Sequence, residues 1–311
     1  MKNKTHNEKN KKLTHIQSNK TRKFYRLNCS PLSASYKHNK TNNINNSCYN
    51  DKQILYFKKI WNLRHKDQKI KSKNTKIIWN TLKNYYINIC NRESCWIDKL
   101  KIKGKMKNEL MENFYPKSPD SWKTNPNEWL SSLDILYVMK LYEKKHADFK
   151  FIGPSPIDFD KILLDNNCVW NELCNFNIKT YIIKKINKIG IIFNTDKHYG
   201  HGIHWISLFI DIKTQDIYFF DSAGNRPPNE ILIFVKRICK HSKKINIQFK
   251  FHDNYPLEHQ YGGTECGVYS LYFIINMLEN NMKFEDFKNP QNILRDEYIE
   301  QFRNRYFNKE L

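Results

Sequence analysis

The sequence predicts an α+β fold, a short mixed sheet flanked by helices behind a basic helical arm, and three observations carry that expectation. Beyond residue 130, helix-like and strand-like hydrophobic periods are mixed. Two strand-like runs are separated by a short polar stretch, as in a hairpin. The first third of the chain is set apart by charge: residues 1–112 hold 27 Lys and Arg against 7 Asp and Glu, whereas residues 113–311 hold 26 against 24. A chain of 311 residues, 40% hydrophobic and 14% aromatic, has material for one sizeable core with an appendage. No run of about 18 apolar residues occurs, and Met1 to Lys12 is charged with no apolar stretch behind it, so no membrane span or secretory signal is expected and the protein should be soluble and intracellular. On that expectation most of the eight irregularly spaced cysteines should stay reduced.

Residues 1–50 are rich in Lys, Asn, Ser and Thr and are expected to be a disordered basic tail. Residues 51–112 regain apolar residues at helical intervals (Ile54, Phe57, Ile60, Trp61; Ile78, Trp79, Leu82, Tyr85, Tyr86) and are expected to form a basic helical accessory region. Residues 113–311 form the third expected unit, entered through a proline-bearing linker, Tyr115 to Asn127. Ser131 with Asp134 three residues on resembles a capping box opening a helix. Strands are expected at Thr180–Ile186, Gly190–Asn194, His204–Ile212, Asp216–Phe220 and Ile245–Phe251, and helices at Pro228–His241, Cys266–Leu278 and Gln291–Tyr306.

The hairpin is the first place where chemistry concentrates. A turn centred near residues 213 and 214 sets His204 opposite Asp221, within the uncertainty of the turn, and a carboxylate there can hold an imidazole's tautomer and stabilise its cation. An incidental polar contact at a strand end is the competing reading. The second place is Gln260-Tyr261-Gly262-Gly263-Thr264-Glu265-Cys266-Gly267. Cys266 opens an apolar helix after a glycine-bearing loop, where free N–H groups and the helix dipole favour a thiolate and can hold an oxyanion. Gln260, folded back across the loop, can add a donor. Cys29, Cys48, Cys90, Cys95, Cys168, Cys174 and Cys239 lack such company and read as small buried residues.

The ordered set His204-Trp205, Asp221-Ser222, then Gln260 and Cys266-Gly267 resembles the catalytic signature of the cysteine proteases typified by SUMO-specific and adenovirus proteinases. Asp221-Ser222-Ala223-Gly224-Asn225 and the basic amino-terminal region are most similar to the polyprotein-processing proteases of large cytoplasmic DNA viruses, the African swine fever virus type. The resemblance covers roughly residues 127–280. It implies a papain-like core with Cys266 as nucleophile, His204 as base, Asp221 as orienting carboxylate and Gln260 as oxyanion donor, with no cofactor and no metal. Trp205 resembles the tryptophan roofing a narrow substrate channel, and Trp129-Leu130 resembles the element supplying the other wall, although Asp134 lies further along than in that element; core packing competes for both. Gly262 and Gly263 are expected beside the substrate. Glu265 stands where deSUMOylating relatives usually carry Asp.

Two indoles pinching a channel imply cleavage after Gly-Gly or a similarly small pair. The implied function is a thiol endopeptidase acting on core or structural polyproteins during virion maturation, in host cytoplasm and virion. The alternative is an isopeptidase that removes SUMO or another ubiquitin-like protein. A third reading, a non-catalytic nucleic-acid-binding virion protein, explains the basic arm but not the ordered His, Asp, Gln and Cys; arm and protease could also coexist, with nucleic acid as a partner. Equally, the lysines could form a merely solvated surface. His198, His201 and His204 recur every third residue, but Gly200 and Gly202 make the stretch a turn, which argues against a zinc site.

Overall fold

The computed structural model describes residues 24–33 and 47–309. Four helices come first: α1 (Asp51–Arg64), α2 (Thr75–Tyr86), α3 (Ser94–Lys99) and α4 (Gly104–Met111). Then follow α5 (Ser132–Lys145), β1 (Phe149–Pro156), α6 (Asn171–Cys174), α7 (Ile178–Ile183), β2 (Lys188–Asn194), β3 (Trp205–Asp211) and β4 (Asp216–Phe220). The chain continues through α8 (Asn229–Lys243), β5 (Lys250–Asp253), α9 (Cys266–Leu278), α10 (Asp296–Glu300) and α11 (Arg303–Tyr306).

The five strands form one mixed sheet in chain order, with β1 parallel to β2, β2, β3 and β4 antiparallel, and β4 parallel to β5. Alternation along β3 explains the layering: Trp205 and Phe209 join the cluster built around α5 and α9, whereas Ile206, Leu208 and Ile210 join that of α7 and α8. Both faces are therefore covered, as the near-continuous apolar run of β3 requires. A third cluster, including Phe57, Trp61, Ile78, Leu82, Trp96 and Leu110, is the core of the four-helix arm.

Several elements differ from expectation. The run Thr180–Ile186 is helical over Ile178–Ile183, capped by the Asn177 side chain on the Lys179 N–H at 3.0 Å; a short apolar run is ambiguous by period alone. β1 was hidden by Pro154 and Pro156, which argue against a strand except at a sheet edge, where β1 lies. Of Ile245–Phe251 only the end is strand, while Ile245 and Phe249 pack against the α8 cluster. The carboxy-terminal helix is broken into α10 and α11.

Part of the segment expected to be a tail is built into the fold. Residues 1–23 and 34–46 lie outside the described residues, but Asn28 is tied to the far end of the chain, its N–H donating to Asn308 Oδ1 and its Nδ2 to Phe307 O at 3.3 Å. Cys29 and Ser30 are buried beside it. Nor are most cysteines thiols: Cys29–Cys48, Cys90–Cys95 and Cys168–Cys174 are disulfides, leaving Cys239 and Cys266 free. The irregular spacing concealed that folding brings each pair to Cα separations of 5.1, 6.1 and 6.3 Å, which a disulfide can span. Among the described residues no helix is long and apolar enough to cross a membrane.

Candidate active site

Cys266 is the first residue of α9, a helix buried along its whole length between the sheet and α5, so the sulfur is held on the most immobile element of the molecule. The first N–H groups to bond back are those of Val268 and Tyr269, both to Glu265 O at 2.8 and 2.9 Å, so the N–H groups of Cys266 and Gly267 precede the ladder. Gly267 has a packing reason: a Cβ there would stand 2.9 Å from Leu130 Cβ. Glycine alone lets the Trp129-Leu130 segment lie against the start of α9.

His204 stands one residue before β3 and Asp221 one residue after β4. Ser207 pairs with Phe220 and Asp211 with Asp216, so the extended ladder would set His204 across from Ala223, and Asp221 is its diagonal neighbour. The two still meet, with His204 Nε2 2.6 Å from Asp221 Oδ1. Asn254, itself buried, fixes that carboxylate's backbone from both sides, accepting from Asp221 N at 2.9 Å and donating to Asp221 O at 2.8 Å. Asp221 Oδ1 also accepts from Ala223 N at 2.8 Å.

The Cys266 side chain also acts on this imidazole. Burial by itself would lower the His204 pKa, but hydrogen bonds to Asp221 and to the Cys266 side chain, together with the charge of each, outweigh it and push the value up to about 10. With Nε2 committed to Asp221, Nδ1 is the ring nitrogen that remains. Residues 204, 221 and 266, distant in sequence, thus converge on one ring.

Gln260 joins them from the loop before α9. Its Oε1 accepts from Ser222 Oγ at 2.7 Å and its Nε2 donates to Gly262 O at 2.6 Å. The N–H groups of His259 and Gln260 both donate to Ser222 O, at 2.8 and 2.9 Å, so the loop after β4 and the loop before α9 are stitched together. Gly224 has φ +67°, and a Cβ there would lie 2.8 Å from Glu258 N, which explains a glycine at this contact.

The two loop glycines, expected beside the substrate, have different surroundings. The Gly262 N–H donates with the Tyr261 N–H to Asp296 Oδ2, at 2.8 and 2.9 Å, while Asp296 Oδ1 accepts from Tyr269 Oη at 3.0 Å. Gly263 has open space where a Cβ would stand.

Sequence reasoning also missed four supports: Asn254, Asp296, His259 and Arg303. Each lies outside any motif and acts through the fold. His259 is fully buried and its pKa is lowered by burial; its Nδ1 accepts from Leu294 N at 3.1 Å. Arg303 Nε donates to the Glu265 carboxylate at 2.8 Å, and its Nη1 to Glu128 O at 2.6 Å, joining the residue before Cys266 to the residue before Trp129.

Trp129 and Trp205 line one cavity of about 640 Å³, together with Pro154, Trp170 and His198. Trp129 is 41% exposed, whereas Trp205 is 6% exposed and donates through Nε1 to Leu130 O at 3.0 Å. Asp134 lies in the cap of α5 rather than in a channel wall: its carboxylate accepts from Ser131 N at 2.8 Å, and the Ser131 side chain accepts from Asp134 N, as the capping box predicted. The three spaced histidines do not converge, since His198 Nδ1 lies 2.7 Å from Asp158 while His204 faces Asp221. Among the described residues no group of three or more His, Cys, Asp or Glu is placed to hold a metal ion.

The C-terminal catalytic domain of the Ulp1 protease family matches residues 169–311. That stretch belongs to the Ulp1 protease family. A Ulp1-type cysteine protease domain therefore contains His204, Asp221, Gln260 and Cys266, while Trp129 falls outside the matched stretch. A protein of Acanthamoeba polyphaga mimivirus that bears a thiol-protease name is 35% identical over 208 residues, or 66% of this chain and 64% of that protein, so the match spans just under two thirds of the relative's length. A SUMO-1 cysteine protease of African swine fever virus (isolate Pig/Kenya/KEN-50/1950) is 27% identical over 233 residues, 70% of this chain and 83% of that one. A crystal structure of the African swine fever virus protease superimposes with a TM-score of 0.61 at 22% identity, covering 91% of this chain and 98% of that one. The Ulp1-type domain and its helical arm thus share the α+β protease fold of that structure.

Proposed function

We propose that the protein is a cysteine endopeptidase that cleaves after a small pair such as Gly-Gly in viral core or structural polyproteins. The single observation that carries the reading is one imidazole bonded through Nε2 to a buried carboxylate, with a pKa raised by that carboxylate and by the Cys266 side chain together. The Cys266 thiolate attacks the scissile carbonyl carbon, and the carbonyl π electrons pass to oxygen. That oxyanion is held by Gln260 Nε2 and the N–H groups at the start of α9. The imidazolium gives its Nδ1 proton to the leaving amine as the C–N bond breaks, leaving a thioester on Cys266. Water, losing a proton to the now neutral Nδ1, adds to the thioester, and Cys266 departs as thiolate. Asp221 holds the ring and its positive charge throughout.

The Gly-Gly preference is supported by Trp129 and Trp205 facing one cleft, and the polyprotein role by the likeness to proteases of large DNA viruses. A second reading, removal of a ubiquitin-like protein from a lysine amine, is favoured by the SUMO-1 cysteine protease name of the African swine fever virus relative. A side-by-side assay of a Gly-Gly-Xaa peptide and a SUMO conjugate, with iodoacetamide labelling, tests both. Cleavage of the peptide, with Cys266 labelled first, is the expected result. Turnover of the conjugate alone would transfer the assignment to the second reading, and cleavage of both substrates surviving Cys266→Ala would overturn the site.

A further inference from the structure

We infer that Ser222 is a positioning residue for the reaction: its hydroxyl, acting with the Gly262 carbonyl, holds the Gln260 amide in the orientation that presents an N–H to the oxyanion. The inference rests on the reading of Gln260 as an oxyanion donor, and extends it to a residue that touches no reacting atom.

A glutamine amide has two orientations related by a half-turn, and only one offers hydrogen to a developing negative charge; the other offers a lone pair and repels it. Here both ends of the amide have fixed partners. Ser222 Oγ, on a residue 1% exposed, donates to Oε1 at 2.7 Å. Nε2 donates one hydrogen to Gly262 O at 2.6 Å and keeps a second. Turning the amide over would bring Oε1 against the Gly262 carbonyl, oxygen to oxygen, while Ser222 could still accept from the displaced NH2. The carbonyl thus rejects the wrong orientation and the hydroxyl stabilises the right one.

The backbone gives Ser222 no freedom to fail in this. Its carbonyl accepts from both His259 N and Gln260 N, so hydroxyl and amide are held in register by the same stitch. Asp221 is fixed by Asn254 and bonded to His204. One dipeptide after β4 therefore sets both the imidazole and the oxyanion donor, although the two lie on opposite sides of the reacting carbonyl in the proposed mechanism. Without the Ser222 hydroxyl, Gln260 Oε1 would be left buried with its acceptor capacity unmet, and the amide would sample orientations that do not donate.

The test compares two reactions of the same sulfur. Hydrolysis of a Gly-Gly peptide aminocoumarin amide passes through an oxyanion; alkylation of Cys266 by iodoacetamide displaces iodide and forms none. Ser222→Ala in the full chain should lower kcat about tenfold, as expected for one lost hydrogen bond, with KM unchanged. Its alkylation rate should match that of the wild type. Gln260→Ala should lower kcat by about a hundredfold, and adding Ser222→Ala to it should cost nothing further, because a selector without its amide has no work left.

Equal losses in hydrolysis and alkylation for Ser222→Ala would mean general damage to the site and overturn the inference. So would multiplying losses in the double variant, or full hydrolytic activity in Ser222→Ala beside a damaged Gln260→Ala. A silent Gln260→Ala would instead remove the oxyanion reading itself, and Ser222's role with it. Restored kcat in Ser222→Thr, which keeps the hydroxyl, would support the inference further.

Discussion

β4 carries a histidine–carboxylate pair at each end, and only one of the two imidazoles is acted on by the Cys266 side chain. Just past its carboxy-terminal end Asp221 meets His204 at 2.6 Å; at its first residue Asp216 meets His252, on β5, at 2.8 Å. The groups and distances are nearly the same. The environments are not: the Asp221 and His204 side chains are 4% and 18% exposed, those of Asp216 and His252 16% and 33%. What faces each ring also differs. His204 has the Cys266 side chain, whereas His252 stacks on Tyr218, with ring centroids 5.2 Å apart, and lies near Phe284. A carboxylate beside an imidazole is therefore not itself catalytic machinery. It becomes so when burial makes the charge expensive to place elsewhere and a nucleophile takes the remaining nitrogen.

The largest expected effect tests that asymmetry directly. Cys266→Ala and His204→Ala should each abolish measurable cleavage of a Gly-Gly peptide, a loss on the order of 10⁴-fold or more. Asp221→Ala should retain roughly 10 to 100 times more activity than either, because an orienting group is partly replaceable. His252→Ala should stay within about threefold of wild type, as surface changes usually do. A His252→Ala loss approaching that of Asp221→Ala would erase the distinction between the two ends.

The site was more legible than the scaffold around it, for a physical reason. The proposed nucleophile, base, carboxylate and amide call for particular functional groups, so Cys266, His204, Asp221 and Gln260 stand out as residue types in order. Their supports need only shape and a donor or acceptor in the right place. Nothing marks Asp296, more than thirty residues beyond the loop it holds, or Arg303, which bonds to two loops at once. The same contrast runs through the fold. β3, β4 and α9 were readable because one period governs each, whereas β1 carries prolines that only its edge position tolerates. The Ser131 capping box was readable since both partners lie within one turn.

The titration of His204 sharpens the comparison at the next level. Two of the causes raising its pKa to about 10 come from Cys266, so nuclear magnetic resonance of the imidazole should show a high-pH titration in the wild type and a lower one in Cys266→Ala. The sign for stability follows. A histidine whose folded pKa is raised contributes stabilisation that is fully present below its unfolded value, near 6.5, and is lost as pH climbs towards the folded one. Thermal stability of the wild type should therefore decline across that window, and less steeply in Cys266→Ala. An unchanged imidazole titration in the variant would mean that the sulfur does not act on the ring.

The smallest effect belongs to the other end of β4, and its sign is opposite. Burial tends to raise the Asp216 pKa, but the His252 hydrogen bond, a second from Thr214 and the His252 charge more than offset this, and the carboxyl is held below its usual range. A depressed carboxylate stabilises the fold above its unfolded pKa, near 4, and loses that contribution as pH falls further. The pair is only partly buried, its side chains 16% and 33% exposed, so water screens it in part and Asp216→Asn should cost about 1 kcal/mol at pH 7. The difference should shrink as pH falls below about 4 and through the depressed folded value, where protonation leaves wild type and variant alike at this position. Urea unfolding across that descent measures it. A cost at pH 7 of several kcal/mol would place this pair in the same energetic class as His204–Asp221, and the contrast would then rest on the sulfur alone.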